Sequence, residues 1–180
     1  MKLKTSTILF ILLVFSITVA VSGCTSSPGA VTPTPAYTST DTSGGSNYSI
    51  TITGGNTSPV TVTYADLKAM GMVEIKNVNQ MSMNGKSVEH TSDYAGVPMM
   101  NILAKAGIPD GDMTFTMTSP DNYTMDYSRA ELVNAMLGLE RNGTTLNTDI
   151  EGGNAIVLVE PDQMGPMWIR VPVKIDIRKS

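Results

Sequence analysis

The chain has 180 residues, of which 12 are basic and 16 acidic, and its formal net charge at pH 7 is −4. This balance excludes proteins that bind nucleic acid by charge, because the phosphate backbone repels an acidic surface. It also excludes a polybasic membrane anchor. The chain has one cysteine, so no disulfide bond can form within it.

The first 23 residues have the pattern of a targeting segment. Lys2 and Lys4 give a positive start, and residues 8–21 are almost entirely apolar. An apolar run of about 14 residues spans ~21 Å as a helix, whereas the hydrocarbon core of a bilayer is ~30 Å thick. The pattern therefore predicts a signal peptide over residues 1–23 rather than a permanent transmembrane helix.

Cys24 follows an aliphatic residue and two small ones, in the order Val21-Ser-Gly-Cys24. This order resembles the lipobox of secreted lipoproteins, in which the cysteine thiol accepts a diacylglyceryl group. The resemblance implies that Cys24 is lipidated and that the chain is exported and anchored to the outer face of the cytoplasmic membrane. The alternative is an ordinary signal peptide with an incidental cysteine. Removing residues 1–23 takes away two lysines and changes the formal charge to −6, so the lipid must supply the membrane attachment.

Residues 24–46 form a predicted linker between the lipid and a folded domain. The segment is rich in Ser, Thr, Pro and Gly, and Asp41 is its only charged residue. Such a composition cannot bury enough apolar surface to offset the entropy of ordering. The remaining residues, 47–180, have a common size for one domain.

The first half of the domain begins with a strand–turn–strand pattern and then a capped helix. Thr63 is a suitable N-cap, and Asp66 stands at the third helical position, where a carboxylate favours free N–H groups. The polar residues of 80–93 predict an irregular segment. The expected elements are strands over 48–53, 60–62 and 73–78 and helices over 64–70 and 99–106.

The second half alternates strand patterns with turn chemistry. Residues 128–131 have the composition of a capping box in front of a helix over 132–137, and Asn142-Gly143 is a tight-turn pair. The expected strands are 113–118, 123–127, 155–160, 168–171 and 173–177. Short helices among many strands predict an α+β fold in which strands dominate and form mixed sheets.

Four segments carry a resemblance to a known family. Residues 60–70 form a strand followed by an Asp-Leu helix, and residues 94–103 read Tyr-Ala-Gly-Val-Pro-Met-Met-Asn-Ile-Leu. Residues 121–123 read Asp-Asn-Tyr, and residues 152–171 contain an apolar strand, Gly165 and Trp168-Ile-Arg-Val. In this order they resemble the oxidoreductase molybdopterin-binding domain, which has the sulfite-oxidase-type fold. The resemblance implies that fold for residues 47–180, with molybdopterin as a possible cofactor.

The metal chemistry of that family is harder to place on this sequence. The resemblance implies that a cysteine thiolate binds molybdenum at the end of a strand ahead of the Gly-Val-Pro segment. By spacing, Asn77 occupies that position, and an amide is a poor ligand for a metal that takes a soft anion. Cys24 lies upstream of the domain. The sequence therefore predicts a degenerate site that lacks the metal-binding cysteine.

Six residues are candidates for binding a ligand or cofactor. Polar residues including Asn77 and His90 lie where the resemblance places the mouth of the site, although a solvated loop would have the same composition. The resembled fold brings residues 168–171 beside the turn at 121–123. Alternation over 168–171 directs Trp168 and Arg170 to one face, toward that mouth. The alternative is that the tryptophan covers the end of a sheet. The candidates are Asn77, His90, Asp121, Tyr123, Trp168 and Arg170.

Two further patterns suggest other chemistry. Met81, Met83 and His90 could together bind cuprous ions, because thioethers are soft ligands, but methionine is also ordinary core filler. Four sequons predict N-glycosylation, which in a protein with a lipobox would suit an archaeal source. The sequon asparagines are Asn47, Asn56, Asn122 and Asn142.

Three classes of function follow from these patterns. The leading hypothesis is a lipid-anchored extracytoplasmic binding or accessory module, without metal chemistry, whose partner is an unknown small ligand or surface protein. The second is a redox enzyme that retains molybdopterin with a ligand other than cysteine. The third is a purely structural surface protein, which would have no concave polar site. A Met/His copper-binding protein is a further alternative.

Overall fold

The computed structural model describes residues 47–55 and 57–179, with the backbone alone at Thr57. The predicted signal peptide, Cys24, the predicted linker and Asn56 lie outside the described residues. Within the described part, no helix is long and apolar enough to cross a membrane. In chain order the elements are β1 (Ser49–Gly54), β2 (Thr57–Thr63), α1 (Tyr64–Ala69), β3 (Val73–Met81), β4 (Val88–Pro98), α2 (Met99–Lys105), β5 (Met113–Thr118), β6 (Thr124–Ser128), α3 (Arg129–Leu132), β7 (Met136–Arg141), β8 (Thr144–Thr145), β9 (Val157–Val159), a 3₁₀ helix (Gly165–Met167) and β10 (Lys174–Lys179).

The strands form two sheets around one hydrophobic core. The first sheet has the order β2-β1-β10-β5-β6, and it is mixed because β1 and β10 run parallel while the other neighbours are antiparallel. The second sheet has the order β3-β4-β7-β8, and β9 also pairs with β7, all antiparallel. Phe115 and Ile175 of the first sheet belong to the same core cluster as Val97 and Leu137 of the second. The α+β class with dominant strands is confirmed.

Both helix starts predicted from capping residues are confirmed. The Asp66 N–H donates to Thr63 Oγ1 at 3.2 Å, and the Thr63 N–H donates to the Asp66 carboxylate at 3.0 Å. Ser128 and Glu131 form the same reciprocal pair in front of α3. Each pair satisfies N–H groups that a helix start leaves without partners.

The segment at 80–93 is irregular only over residues 82–87, and the prediction was wrong for the residues on either side. β3 continues to Met81 and β4 begins at Val88, so the two strands form a long hairpin. The turn between them is closed by the Ser82 N–H, which donates to the Ser87 carbonyl at 2.9 Å. The side chains of residues 88–91 are exposed. Polar residues are therefore compatible with a strand here, because the ladder satisfies the backbone while the side chains meet water.

The helix predicted over residues 132–137 was also wrong in extent. α3 ends at Leu132, and Met136–Arg141 forms β7, whose first five residues are all buried. β7 pairs with β4 on one side and with β8 and β9 on the other. A strand that is buried on both faces has no alternation, so its apolar run resembles part of a buried helix.

The predicted strand at 168–171 is absent from the described structure. The 3₁₀ helix at Gly165–Met167 precedes this segment. The only ladder contact of residues 168–171 is an isolated bridge between Arg170 and Val157. Val171 has a positive φ of 47°, which interrupts extended pairing. The apolar run at 155–160 is buried as expected, but only Val157–Val159 is a strand.

Candidate functional site

The largest cavity near the predicted site residues has a volume of about 470 Å³. This volume lies within the usual range for small-molecule sites. Its walls come from the β3–β4 hairpin, the β5–β6 turn, residue 150 and the segment that follows β9. The lining residues are Gln80, Met83, Glu89, His90, Ser119, Asp121, Tyr123, Ile150, Gly165, Pro166, Trp168 and Arg170. We refer to it as the Arg170 cavity.

The structure brings His90, Asp121, Tyr123, Trp168 and Arg170 together on this cavity. These side chains belong to segments that lie up to 80 positions apart in the sequence. The sequence had placed them together only through the expected fold. Their contact with a ligand stays a prediction.

Asn77 is not among the residues that line the Arg170 cavity. It lies at an irregularity of β3 between Ile75 and Val78, where its φ is 53° and its side chain is exposed. Its backbone N–H donates to Asp93 Oδ1 at 2.8 Å. Asparagine tolerates the left-handed region better than most residues, so the local backbone accounts for this residue type without a ligand.

The β5–β6 turn holds Asp121 and Tyr123 by local hydrogen bonds. The Tyr123 N–H donates to Asp121 Oδ1 at 3.0 Å, and Asn122 between them has a φ of 65°. This is an Asx-type turn, in which a short polar side chain replaces a backbone partner. The Tyr123 hydroxyl donates to the Pro166 carbonyl at 2.9 Å and so joins the turn to the opposite wall.

Trp168 is more enclosed than alternation along a strand predicts. Only 5% of its surface is exposed, and its ring meets Tyr94 edge-on at 5.7 Å between centroids. Its Nε1 is buried and has no hydrogen-bond partner among the described residues. The irregular backbone after the 3₁₀ helix causes this difference, since the segment does not alternate as a strand. The burial favours the alternative in which Trp168 covers the end of the sheet.

Arg170 is the exposed cationic group of the cavity. Its Nη1 donates to the Ile150 carbonyl at 3.3 Å, and its own carbonyl accepts a hydrogen bond from the Ser119 hydroxyl. The backbone on both sides is held in the core, because Ile169 and Val171 are fully buried as predicted. The guanidinium therefore projects from a rigid segment with most of its donors free for water or an anion.

Carboxylates line the same cavity as this cation. Asp121 and Glu89 line it together with Arg170 and His90. A ligand that carries a single negative charge could pair with Arg170 there. A group with two negative charges would meet repulsion from both carboxylates.

Sequence reasoning missed several lining residues. Glu89 was not singled out, and Ile150 carries no chemical signal. Gln80 was included only as part of a polar stretch. A Cβ at Gly165 would lie 2.7 Å from Gln80 Nε2, so this glycine permits the close approach of the two walls. The only signal in the sequence for the close approach of Gln80 was Gly165 itself, which stands directly before Pro166 and close to Trp168.

The methionines proposed for copper do not all meet at this cavity. Met83 and His90 line it, whereas Met81 does not and instead pairs through its backbone with Met164. Within the described ranges, no group of three or more His, Cys, Asp or Glu residues could hold a metal ion.

Comparison with known proteins identifies the family. A family model described as the oxidoreductase molybdopterin binding domain matches residues 34–180. The chain belongs to this family. No curated protein matches the chain at a significant level.

A solved structure supports the sulfite-oxidase-type fold of this family member. The crystal structure of the sulfane dehydrogenase SoxCD from Paracoccus pantotrophus is similar, with a TM-score of 0.61 and 22% sequence identity. The match covers 74% of this chain and 38% of the SoxCD chain. At this identity the likeness shows the fold alone.

The residues of this family member do not fit the metal centre that the family name implies. The single cysteine of the chain is Cys24, which lies outside the described residues and upstream of the domain. Asn77, which the family resemblance predicts at the position of the cysteine, does not line the Arg170 cavity. The cavity also opposes one arginine and one histidine with two carboxylates, which disfavours a pterin phosphate. Neither a soft anionic metal ligand nor a cationic phosphate site is present among these lining residues.

Three sequon asparagines lie in the described part of the chain. Asn47, Asn122 and Asn142 are all exposed. Asn142 Oδ1 accepts a hydrogen bond from the Asp93 N–H at 2.8 Å. Glycosylation at these positions stays a prediction.

Proposed function

We propose that this chain is a lipid-anchored, extracytoplasmic binding or accessory module on a degenerate molybdopterin-binding fold. The observation that carries the proposal is that residues 47–180 contain no cysteine, so no thiolate of the domain is available for a metal. Asn77, which the family resemblance places at the metal ligand, is exposed and does not line the Arg170 cavity. The cavity itself persists at about 470 Å³. A family member that keeps a cavity but lacks the metal ligand is better suited to binding than to redox chemistry.

Arg170 is the expected main contact for a ligand in this module. Its guanidinium is exposed, whereas Trp168 is almost enclosed and offers a ligand only part of its ring. The free donors of Arg170 suit a monoanionic group such as a carboxylate or a small oxyanion. Asp121 and Glu89 would disfavour more highly charged anions.

Tryptophan fluorescence tests this site, because Trp168 is the only tryptophan and lines the cavity. We expect saturable quenching by a pterin, a haem-like ring or a small oxyanion, and loss of the response in Arg170→Ala. Arg178→Ala is the matched control, since Arg178 is also exposed but does not line the cavity. Asn77→Ala should respond like the wild type. An unchanged response in Arg170→Ala would refute the assignment, and so would the absence of any response.

The second candidate is a redox enzyme that retains molybdopterin with a ligand other than cysteine. Membership of the molybdopterin-binding family favours it. Metal analysis of protein made in a molybdenum-competent host separates the two candidates. Near-stoichiometric molybdenum would overturn the binding-module proposal, whereas a molybdenum content at background would remove the enzyme candidate.

Membrane attachment is tested separately at Cys24. Replacing Cys24 with Ser removes the lipid, whose burial contributes about 0.8 kcal/mol per CH₂ group. We expect the variant to fold, to leave the membrane fraction or to remain unprocessed, and to keep its spectroscopic properties. Retention of Cys24→Ser in carbonate-washed membranes would contradict the lipoprotein assignment.

A further inference from the structure

A second cavity lies at the junction of α3 and the loop after β9. Its volume is about 310 Å³, and it shares no lining residue with the Arg170 cavity. The residues that line it are Ala130, Glu131, Asn134, Glu160, Pro161 and Gln163. Two carboxylates and two side-chain amides therefore face one cavity, which we refer to as the Glu160 cavity.

Glu160 is the unusual member of this group. Only 4% of its surface is exposed, and its Oε1 is buried with no hydrogen-bond partner among the described residues. Burying a carboxylate without a partner is costly. Burial, which is the larger cause, and the nearby charge of Glu131 together raise the pKa of Glu160 to about 7. The fold thus holds a carboxyl group that its own side chains leave uncompensated.

Glu131 is held in place by its capping role. Its Oε2 accepts hydrogen bonds from the Ser128 N–H at 2.6 Å and from the Ser128 hydroxyl at 2.7 Å. The described structure records no bond to Oε1 of the same carboxylate. The cap therefore orients Glu131 while it leaves one oxygen available at the cavity.

No lysine or arginine is among the described residues that line this cavity. Arg129 is the neighbour of Ala130, but its guanidinium bonds to Asp110 at 3.1 Å and to the Gly111 carbonyl at 3.2 Å, and it lies over the Phe115 ring. The nearest cation in the sequence is therefore committed elsewhere. The two carboxylates line the same cavity, and no described lysine or arginine lines it with them.

The backbone around Glu160 is fixed by a turn and by β3. The Gln163 N–H donates to the Glu160 carbonyl at 3.3 Å, and Asp162 has a φ of 61°. The Asp162 N–H donates to the Asn79 carbonyl at 3.1 Å, and the Gln163 carbonyl accepts from the Met81 N–H at 2.9 Å. Glu160 and Gln163 are thus presented from a braced segment rather than from a free loop.

We propose that the Glu160 cavity binds a divalent cation of the calcium class, with the carboxylates of Glu160 and Glu131 as charged ligands and the amide oxygens of Asn134 and Gln163 as neutral ones. An oxygen-only donor set suits hard cations. The lining residues include no histidine or cysteine, which disfavours zinc and copper. Calcium accepts six to eight oxygens in flexible geometry, whereas magnesium requires a near-ideal octahedron. The cavity has room for water and two exposed amide side chains, so it can supply the flexible set of oxygens that calcium accepts. This inference does not depend on the proposed function of the Arg170 cavity.

The experiment compares thermal unfolding and calorimetric binding with CaCl₂ at pH 8, against NaCl of equal ionic strength. For a millimolar site, about 10 mM CaCl₂ should raise the midpoint of wild-type unfolding by about 3–6 °C. Glu160→Gln should lose this shift, and Glu151→Gln, which changes an exposed carboxylate outside both cavities, should keep it. Asn134→Ala alters an exposed side chain and should weaken calcium binding without unfolding the domain.

Three results would overturn the proposal. One is the absence of both a calorimetric signal and a thermal shift in the wild type. Another is a folded Glu160→Gln or Asn134→Ala variant that binds calcium as the wild type does. The third is a response to MgCl₂ as large as the response to CaCl₂, which would remove the calcium assignment.

Discussion

The buried carboxyl group of Glu160 makes the stability of the domain depend on pH in a direction opposite to the usual carboxylate effect. Burial raises its pKa from an ordinary 4.5 to about 7. Between these two values the folded state holds a proton that the unfolded state has released. The free energy of unfolding therefore falls as the pH rises through this window. Each pKa unit corresponds to about 1.4 kcal/mol, so the full contribution is on the order of 3 kcal/mol.

Glu160→Gln isolates this contribution, because the amide has nearly the same shape and does not titrate. Urea unfolding of both proteins would be followed by far-UV circular dichroism from pH 4.5 to 8, with a chelator present to remove divalent cations. At pH 4.5 the two should differ little, since Glu160 is protonated in the folded state. At pH 8 the variant should be more stable than the wild type by about 2–3 kcal/mol.

Other titrating groups cancel in this comparison. Hydrogen bonds lower the pKa of Asp66 and of Asp176, and these groups stabilise the fold above their ordinary pKa. They act equally in both proteins, so the difference between the two free energies reports Glu160 together with its coupling to Glu131. A difference that stays constant within about 0.5 kcal/mol from pH 5 to pH 8 would refute the reasoning, because Glu160 would then titrate alike in the folded and unfolded states.

Two further predictions concern packing. Val171 is fully buried, so Val171→Asp should abolish the cooperative urea transition by burying an unpaired charge. Val133→Asp, at an exposed valine, should retain the transition, and a cooperative transition in Val171→Asp would contradict this prediction. A Cβ at Gly96 would lie 2.1 Å from the Leu137 carbonyl oxygen, so Gly96→Ala should lower the free energy of unfolding by at least about 2 kcal/mol. As the control, a Cβ at Gly153 would meet no atom within 4 Å, so Gly153→Ala should change this free energy by less than about 0.5 kcal/mol.

The candidate site was predictable only in part. Asp121 and Tyr123 belong to a turn whose chemistry is visible in the sequence, and the resemblance to a family placed that turn beside Arg170. The sequence could not show that Asn77 lies off the cavity, because it stands at an irregularity of β3 that local pattern does not predict. Nor could it show the Glu160 cavity. Glu160 ends an apolar run. The other wall of its cavity includes residues of α3, which lie nearly 30 positions earlier in the chain.

The sequence by itself determined the features that depend on neighbouring residues. The capping pairs Thr63–Asp66 and Ser128–Glu131 join groups three positions apart, so their hydrogen bonds form without distant partners. The strand Met113–Thr118 alternates between buried and half-buried residues, as its sequence alternates between apolar residues and threonine. Such elements are predictable because the chain itself holds both partners of each interaction.

Tertiary structure decided the elements whose partners lie far away in the chain. Met136–Arg141 is a strand because β4, β8 and β9 satisfy its backbone, and Gly138 leaves room for Val159 and Tyr94. The polar residues of 88–93 lie in a strand because β3 supplies their ladder partners. Trp168 is enclosed because the 3₁₀ helix turns the chain before it. In each case a short segment is compatible with more than one conformation, and the burial and backbone pairing offered by distant strands select one of them.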